Sequence, residues 1–155
     1  MKRSILITLL AVAMLQSCFS KENVIQQKNT VEALFSNFSK EKNITHVKID
    51  GAIMSLANVF SDTKGVTSID VYSFEECNNE VKNKLNSAIK TLKDSAYETI
   101  VSSNQNGENT KVLVKVKDDF INEIVVITSG NDPALVRIKG KIKPEDIQSV
   151  IDNNK

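Results

Sequence analysis

The amino-acid sequence predicts an α+β domain with a mainly antiparallel sheet and helices packed on one of its faces. Three observations lead to this class. In the N-terminal half, segments with the apolar spacing of helices alternate with segments rich in β-branched residues. Four strand-like segments then follow between residues 97 and 142, joined by short turns, as in an antiparallel meander. A last segment, from residue 144, again has helical spacing.

The N-terminal half is predicted to contain three helices and two strands. They are expected in the order helix, strand, helix, strand, helix over residues 30–40, 43–50, 52–60, 66–74 and 79–93. Thr30 suits the cap of the first helix, because its hydroxyl can accept a hydrogen bond from a backbone N–H of the first turn. The fifth segment is the clearest helix, because its apolar residues fall on one face: Val81, Leu85, Ala88, Ile89 and Leu92.

The C-terminal half is predicted to form the meander and a closing helix. The four strands are expected over residues 97–103, 110–117, 123–128 and 135–142. Asn106-Gly107 predicts the first hairpin turn, because both positions tolerate positive φ. The unbroken apolar run of the third strand predicts a central place in the sheet. Pro144 suits the first turn of the closing helix, whose inward residues would be Ile147, Val150 and Ile151.

The first residues are predicted to be a lipoprotein signal peptide. Lys2 and Arg3 precede about a dozen apolar or small residues, which is the layout of an export signal. Leu15-Gln16-Ser17-Cys18 resembles the lipobox of bacterial lipoproteins, with a large apolar residue three positions before the cysteine and a small one directly before it. This resemblance implies cleavage after Ser17 and makes Cys18 the lipidated first residue.

The chain is therefore expected to comprise a signal peptide (1–17), a lipidated cysteine with its tether (18–29) and a single α+β domain (30–155). Two or more acyl chains hold a protein durably at a membrane, so an acylated Cys18 would be a lasting anchor. Gln16 departs from the usual lipobox pattern. The alternative is a secretory signal that is cut elsewhere, which would leave Cys18 without this role.

Charge and cysteine content give no support to nucleic-acid binding or to a disulfide framework. Leaving Lys2 and Arg3 out of the 20 basic residues leaves 18 against 19 acidic ones, a formal net charge of −1, which gives no reason to expect a nucleic-acid partner. With Cys18 lipidated, Cys77 has no partner within the chain, so no disulfide is expected. Cys77 is expected to be a half-buried thiol.

Four sequence features of the chain are, taken together, similar to those of a known protein family. They are the lipobox, the end of the first helix with the strand after it (FSKEKNITHVKI), the Tyr97-Glu98 pair that opens the third strand, and the segment VRIKGKIKPEDI. Together they resemble a family of small Bacteroidetes lipoproteins classed as a domain of unknown function. The resemblance covers nearly the whole mature chain. It implies an exported, anchored and non-enzymatic protein, and it carries over no catalytic residues.

The residues after the cysteine bear on the side of the membrane that the domain faces. Surface-displayed lipoproteins of such bacteria often carry an acidic run there, whereas only Lys21-Glu22 follows Cys18 in this chain. The expected location is therefore the cell envelope, with the lipid in the outer membrane and the domain facing the periplasm.

The residue pattern predicts no catalytic site, no metal site and no cofactor. His46, the only histidine, is expected on a strand face, with Asp50 nearby in sequence. With one histidine and one free cysteine, a zinc site would need an improbable set of carboxylates. The segment NQNGEN lacks the aspartates and the closing glutamate of a calcium loop. Neither a G-x-S-x-G turn nor a glycine-rich phosphate loop is present in the sequence.

Two candidate sites remain, one for modification and one for binding. Asp94-Ser95-Ala96 resembles an O-glycosylation acceptor of exported proteins in these bacteria, so Ser95 is a candidate for modification. In two strands apolar residues alternate with basic ones, so six basic side chains are expected on one face: Lys111, Lys115, Lys117, Arg137, Lys139 and Lys141. If the apolar face takes the helices, this basic face is open and suits an anionic glycan, lipid headgroups or an acidic partner. The alternative is the ordinary wet face of an antiparallel sheet.

The function expected from the sequence is that of a membrane-anchored envelope lipoprotein that binds a partner and has no enzymatic activity. Its partner would be an envelope protein or an anionic glycan, and the lipid would hold it at the membrane. The alternative is a regulatory or signal-sensing lipoprotein that acts on a membrane protein. Neighbouring genes would distinguish the two.

Overall fold

The computed structural model describes residues 29–51 and 65–146, which form a six-stranded sheet with helices on one face. The strands are β1 (Thr45–Asp50), β2 (Val66–Ser73), β3 (Glu98–Gln105), β4 (Glu108–Lys117), β5 (Phe120–Ser129) and β6 (Ala134–Ile142). The helices are α1 (Val31–Phe38) and α2 (Asn79–Thr91). The predicted α+β class is therefore confirmed.

The strand order is β1-β2-β6-β5-β4-β3, and every neighbouring pair is antiparallel. The connection that contains α2 takes the chain from β2 to β3 at the far edge of the sheet. The meander then returns strand by strand until β6 pairs with β2. This confirms the four-strand meander and the interior place of β5, and it joins the two halves of the chain in one sheet.

Two of the predicted segments lie largely outside the described residues. The helix expected over residues 52–60 falls in the gap between the two described ranges. The closing helix begins as expected, because residues 144–146 are helical, and its predicted inward residues from Ile147 onward are not described. The signal peptide, Cys18 and the tether also lie outside the described residues, apart from Asn29.

The helix caps and the first hairpin follow the local sequence. Thr30 Oγ1 accepts a hydrogen bond from Ala33 N over 3.3 Å, and Asn78 Oδ1 accepts one from Val81 N over 3.0 Å. Asn106 and Gly107 have φ angles of 52° and 83°, as the predicted hairpin turn between β3 and β4 requires.

The start of β2 and the end of β6 come unusually close together. Lys141 N donates a 2.7 Å hydrogen bond to the carbonyl oxygen of Gly65. A Cβ atom at Gly140 would overlap this same oxygen. Glycine at position 140 is therefore required by the approach of the neighbouring backbone.

The larger core cluster lies between the sheet and the two helices, and a second buried cluster, of Val114, Ile121 and Ile142, lies on the opposite face of the sheet. α1 and α2 turn their buried stripes towards the sheet: Val31, Leu34, Phe35, Phe38, Val81, Leu85 and Ile89. The sheet contributes Leu113, Val125, Ile127 and Leu135 to the same buried cluster.

The open basic face was expected on the condition that the apolar face of β4 and β6 takes the helices, and α1 and α2 do not meet this condition. It would have turned Val112 and Val114 of β4, and Val136 and Ile138 of β6, towards the helices. Instead, Leu113 and Leu135 face the helices, because the larger side chains at the odd positions fill the space under α1 and α2. The six basic residues share this parity with Leu113 and Leu135, so they lie on the side of the sheet that carries α1 and α2.

The opposite face of the sheet, called the valine face below, carries two aliphatic rows that cross the strands and a third row of small, mostly polar residues: Thr45, Ser73, Ala134, Thr128, Thr110 and Ser103. The register aligns one valine from each strand: Val47, Val71, Val136, Val126, Val112 and Val101. The next row contains Ile49, Ile69, Ile138, Ile124 and Val114, and it ends at Glu98 of β3. Neither α1 nor α2 packs on this face.

Candidate functional site

A groove of about 800 Å³ lies between α1 and α2. Leu34, Phe38 and Leu92, which are buried, form its apolar floor. Short or polar side chains of the two helices line it above the floor: Ala33, Asn37, Asn83, Ser87 and Thr91. The groove lies where the facing flanks of the two helices carry short or polar side chains, while their buried stripes turn towards the sheet. Its volume is in the range of ordinary ligand sites, about 300–1,000 Å³.

Charges of both signs surround one part of this groove. Lys84 Nζ lies 3.1 Å from Glu80 Oε1 on the same helix and 3.6 Å from Glu41 Oε1, which follows α1. The hydrogen bond with Glu80 and the charge of Glu41 raise the pKa of the Lys84 ammonium. Because Lys84 is exposed, its ion pairs with Glu41 and Glu80 hold these side chains at the edge of the groove and contribute little to the free energy of unfolding.

A buried arginine connects α1 to the sheet. Arg137 Nη2 donates a 2.8 Å hydrogen bond to Glu32 Oε2 of α1. Arg137 Nε lies 2.9 Å from Glu123 Oε1 of β5, as an ion pair that is not aligned as a hydrogen bond. The guanidinium also lies 3.8 Å from the centre of the Phe35 ring. The Arg137 and Glu123 side chains are only 8% and 12% exposed. This cluster therefore connects α1 to the sheet and is not accessible to a charged ligand.

Tyr97 belongs to the same polar cluster. Burial, and next the hydrogen bond and charge of Glu123, raise the pKa of the Tyr97 hydroxyl well above its ordinary value. Lys115 Nζ lies over the Tyr97 ring, 5.7 Å from its centre. Since the hydroxyl stays protonated at neutral pH, it is suited to donate a hydrogen bond and not to act as a base.

His46 lies on the helix side of edge strand β1. Its Nε2 atom is 3.3 Å from Asp70 Oδ1, and its ring stacks on Tyr72 with 4.0 Å between ring centres. The structure therefore pairs His46 with Asp70 across the β1–β2 ladder. Burial, and then the charge of Asp70, raise the pKa of the Tyr72 hydroxyl. His46 is a polar residue on a strand face, as the sequence predicts, and it does not line the groove.

The six basic residues predicted to form one open surface have different surroundings. Lys111 Nζ donates to the carbonyl oxygens of Ile89 and Leu92, at the end of α2, over 3.0 and 3.4 Å. Lys141 Nζ lies over the Phe120 ring, 4.4 Å from its centre. Arg137 is buried, whereas Lys115, Lys117, Lys139 and Lys141 are exposed. The expected open face of six basic residues is therefore not formed as a set, because Arg137 is buried against α1 and Lys111 is bound to the end of α2, while the other four lysines stay exposed.

The candidate glycosylation motif lies in the connection from α2 to β3. Ser95 is exposed in a turn, and Asp94 Oδ1 accepts a 3.0 Å hydrogen bond from Ala96 N within that turn. Asp94 Oδ2 accepts another, also 3.0 Å, from Val31 N at the start of α1. Lys93 N donates to Asn29 O over 3.0 Å. Asp94 therefore has a structural role here, and modification of Ser95 stays a prediction.

Cys77, the free cysteine among the described residues, is buried at the start of α2. Its Sγ atom donates to the carbonyl oxygen of Asn43 over 3.2 Å. Burial, the largest influence, raises the pKa of the Cys77 thiol. A thiol with these surroundings is protonated at neutral pH.

Within residues 29–51 and 65–146, no three or more histidine, cysteine, aspartate or glutamate residues are grouped as metal ligands. In the same ranges, no helix combines the length and the apolar character needed to cross a bilayer.

Two features of the helix layer were not found from the sequence. One is the groove, whose asparagine, serine and threonine residues have no motif of their own. The other is a polar cluster under α2, in which Asn109 Nδ2 donates to Asn86 Oδ1 over 2.8 Å and to Ser129 Oγ over 3.3 Å. Both depend on residues brought together from separate elements, and no spacing along the chain signals them.

Comparison with known proteins identifies a family. Residues 38–150 match the family described as "Domain of unknown function (DUF4252)". No curated protein and no solved structure matches the chain. Since the match includes the end of α1, the whole sheet and α2, it covers most of the fold described above. The chain therefore belongs to the DUF4252 family of domains of unknown function.

Proposed function

We propose that this protein is a lipid-anchored module of the cell envelope that binds a segment of a protein partner in the groove between α1 and α2, and that it catalyses no reaction. The groove is the observation that carries the proposal. It combines a buried apolar floor, which can take an apolar side chain, with exposed amide and hydroxyl groups at its walls.

The chemistry of the groove favours a protein segment as its occupant. The amide groups of Asn37 and Asn83 lie on opposite helices, and each can both donate to and accept from a peptide backbone. Leu34 and Phe38 offer apolar contact between them. Grooves of this kind bind helical or extended segments through a few apolar anchors with polar contacts at the edges.

The proposed location at the membrane is based on the N-terminal sequence. Leu15-Gln16-Ser17-Cys18 has the layout of a lipobox, and Lys2 and Arg3 begin an export signal. With lipid on Cys18, the domain would be held at the membrane, in this proposal at the outer membrane and facing the periplasm. Anchoring raises the local concentration of the groove near other envelope proteins.

Site-specific photocrosslinking tests the groove. A photoreactive amino acid replaces Ser87, which lines the groove, in the full chain expressed in its own envelope. The matched control replaces Lys90, which is exposed on the same helix outside the groove. We expect a defined segment of one protein to crosslink at position 87 and not at position 90. Crosslinks to glycan or lipid alone, or equal capture at both positions, would contradict the proposal.

Measuring the affinity for a peptide of the crosslinked segment then distinguishes binding in the groove from anchoring by the lipid. A synthetic peptide of the crosslinked segment should compete with the partner, and Ser87→Trp should weaken its binding by about tenfold or more, because the indole fills the groove. Lys90→Trp should leave binding unchanged. Cys18→Ala should abolish labelling by a fatty acid and leave peptide binding intact. Retained acyl labelling in the Cys18→Ala chain would contradict the proposed anchor.

A further inference from the structure

An exposed cluster of four lysines, called the lysine patch below, lies on the side of the sheet opposite the valine face. Two of its members belong to β4 and two belong to β6: Lys115, Lys117, Lys139 and Lys141. They share the parity of Leu113 and Leu135, but they follow these buried residues along their strands and are exposed. The patch therefore lies on the part of this side that α1 and α2 leave open.

The four positive charges of the patch are close together and have no carboxylate partner. β4 and β6 flank β5, so the two pairs of lysines are roughly 10 Å apart, with about 7 Å between the lysines of each pair. This is about one Debye length at 0.1 M salt, so the charges act together on an approaching anion. Within residues 29–51 and 65–146, no patch lysine forms an ion pair, although Asp118 and Asp119 lie in the adjoining turn.

Two aromatic rings lie beneath the ammonium groups. Lys141 Nζ lies 4.4 Å from the centre of the Phe120 ring, and Lys115 Nζ lies 5.7 Å from the centre of the Tyr97 ring. Phe120 of β5 is partly exposed between the two pairs of lysines. Cations around an accessible aromatic ring suit the boundary between the headgroups and the acyl chains of a bilayer.

The chain enters the domain at the end of the sheet that carries the patch. The first turn of α1 lies beside Arg137, which pairs with Glu32 and which directly precedes the patch lysines along β6. The last residue of α1, Phe38, lies at the opposite end of β6, where its ring is 5.4 Å from that of Phe74. Phe74 N donates there to the carbonyl oxygen of Pro133, just before β6. α1 therefore runs away from the patch, and its N-terminus faces the patch.

A short series of contacts links this entry point to the patch. Asn29 O accepts a 3.0 Å hydrogen bond from Lys93 N, and Tyr97 N donates over 3.1 Å to the carbonyl oxygen of Asp94. The Tyr97 ring in turn lies under Lys115. The residue that joins the tether to the domain is therefore close to the patch.

We infer that the lysine patch binds the phosphate groups of anionic phospholipids in the membrane that holds the protein, an inference that rests on the proposed lipid anchor at Cys18. Residues 18–28 span at most about 35 Å when fully extended, so the anchor keeps the patch near the membrane surface. Basic side chains are attracted to an anionic membrane surface, and a basic patch strengthens the hold of a lipid anchor. The position of the patch at the tether end favours lipid over a glycan or an acidic protein.

Vesicle binding tests this inference in the mature chain, residues 18–155, with Cys18→Ala so that no acyl group contributes. The vesicles contain either phosphatidylcholine alone or phosphatidylcholine and phosphatidylglycerol in equal amounts, and cosedimentation measures the bound fraction. We expect binding to the anionic vesicles only. Added salt should weaken it, because ions screen the lysine charges.

Paired substitutions assign the binding to the patch. Lys117→Glu with Lys141→Glu should lower the affinity for anionic vesicles by about tenfold or more. Lys42→Glu with Lys90→Glu is the matched control, because it changes the net charge equally at exposed positions outside the patch, and it should lower the affinity by at most about twofold. Lys117→Arg with Lys141→Arg should retain binding, since it retains the charge.

A second variant keeps the test independent of folding. Lys115→Gln with Lys139→Gln removes two charges without adding a carboxylate, and it should also lower the affinity by about tenfold. The urea midpoint of each variant should match that of the parent chain, because all the substituted side chains are exposed.

Each other outcome overturns the inference. These outcomes are no binding of the parent chain to anionic vesicles, equal binding to both kinds of vesicle, or equal losses in the patch variants and the control. Retention on dextran sulfate without vesicle binding would mean that the patch takes an anionic glycan. Displacement from the vesicles by inorganic phosphate at matched ionic strength would mean that it takes the free anion.

This test is separate from those of the groove and the anchor. Ser87→Trp in the groove should leave vesicle binding unchanged. The chain used here carries no lipid, so failure to bind vesicles and failure to label Cys18 with a fatty acid are distinguishable results.

Discussion

Arg137 of β6 and Phe35 of α1 form a cation–π contact, with 3.8 Å between the guanidinium carbon and the centre of the ring. The aromatic ring covers a charge that the sheet would otherwise present to solvent. The same guanidinium pairs with Glu123 beneath it and with Glu32 at the surface. This relationship explains why a basic residue can lie on the helix side of the sheet.

Replacing Arg137 with methionine should destabilise the domain strongly. The change removes the cation but leaves the Glu123 carboxylate, which is 12% exposed, without its opposite charge. Breaking a buried pair in this way costs about 3–5 kcal/mol of unfolding free energy. Urea denaturation followed by circular dichroism measures the loss.

The matched control is Lys139→Met, an exposed basic residue on the same strand, which should change the unfolding free energy by less than about 0.5 kcal/mol. Glu32→Gln should cost less than about 1 kcal/mol, since the Glu32 side chain is 80% exposed. Equal losses for Arg137→Met and Lys139→Met would show that the Arg137 pairs do not hold the layers together.

The stability of the domain should fall in alkali partly because of Tyr97. Burial and Glu123 raise the pKa of its hydroxyl in the folded state above the unfolded value of about 10. The folded state therefore keeps a proton that the unfolded state loses. The stabilisation is complete below about pH 10 and is lost as the pH rises from there towards the folded pKa.

Comparison with Tyr97→Phe isolates this contribution. Unfolding free energies are measured at about pH 9 and about pH 11, and the wild-type chain should lose more stability over this interval than the variant. Tyr72, whose pKa is also raised, is present in both chains and cancels. An identical pH dependence of the two chains would rule out a raised Tyr97 pKa.

The Cys77 thiol should react slowly with a disulfide reagent in the folded protein. Its pKa is raised by burial, so little thiolate is present, and its Sγ atom donates to Asn43 O. We expect a rate at least ~10-fold lower than that of an exposed thiol at about pH 8. The reference is Ser102→Cys on β3 in a chain with Cys77→Ala, and the two rates should become equal in urea. Fast reaction of folded Cys77 would indicate an accessible thiol.

Substituting Gly140 with alanine should disrupt the contact between β2 and β6. A Cβ atom there would overlap Gly65 O, which is backbone and cannot turn aside. We expect a loss of about 2 kcal/mol or more, as for other overpacked sites. Gly107→Asn is the control, because that turn has open space around it and asparagine tolerates its positive φ. A smaller loss for Gly140→Ala than for Gly107→Asn would contradict the assigned contact.

Most helices and strands were predicted from the sequence because their boundaries depend on residues within them or next to them. The Thr30 hydroxyl caps α1, and Asn106-Gly107 forms the first hairpin turn because both residues tolerate positive φ. The alternation along β4 and β6 likewise places the six basic residues on one face. The face on which the helices pack is not a local property, because it depends on the contacts of Leu113 and Leu135 with buried residues of α1 and α2.

The valine row and the Arg137 ion pairs depend on which strands and helices lie side by side, and local sequence does not specify this. The valine row requires the partners Val71 and Val136, from β2 and β6, which lie far apart in the chain. The Arg137–Glu32 pair joins residues separated by 105 positions. In both cases the sequence supplies suitable side chains, and the strand order decides whether they meet.

The hydrogen bonds of Asn29 and Val31 have a mechanical consequence. A pull on the chain ahead of Asn29 reaches the domain first through Lys93 N and Asp94 Oδ2, which hold these two residues at the α2–β3 connection. The load is thus applied to a loop and to the first turn of a short helix, and the β-ladders lie behind it. Under tension these two hydrogen bonds and the first turn of α1 would be loaded before any β-ladder.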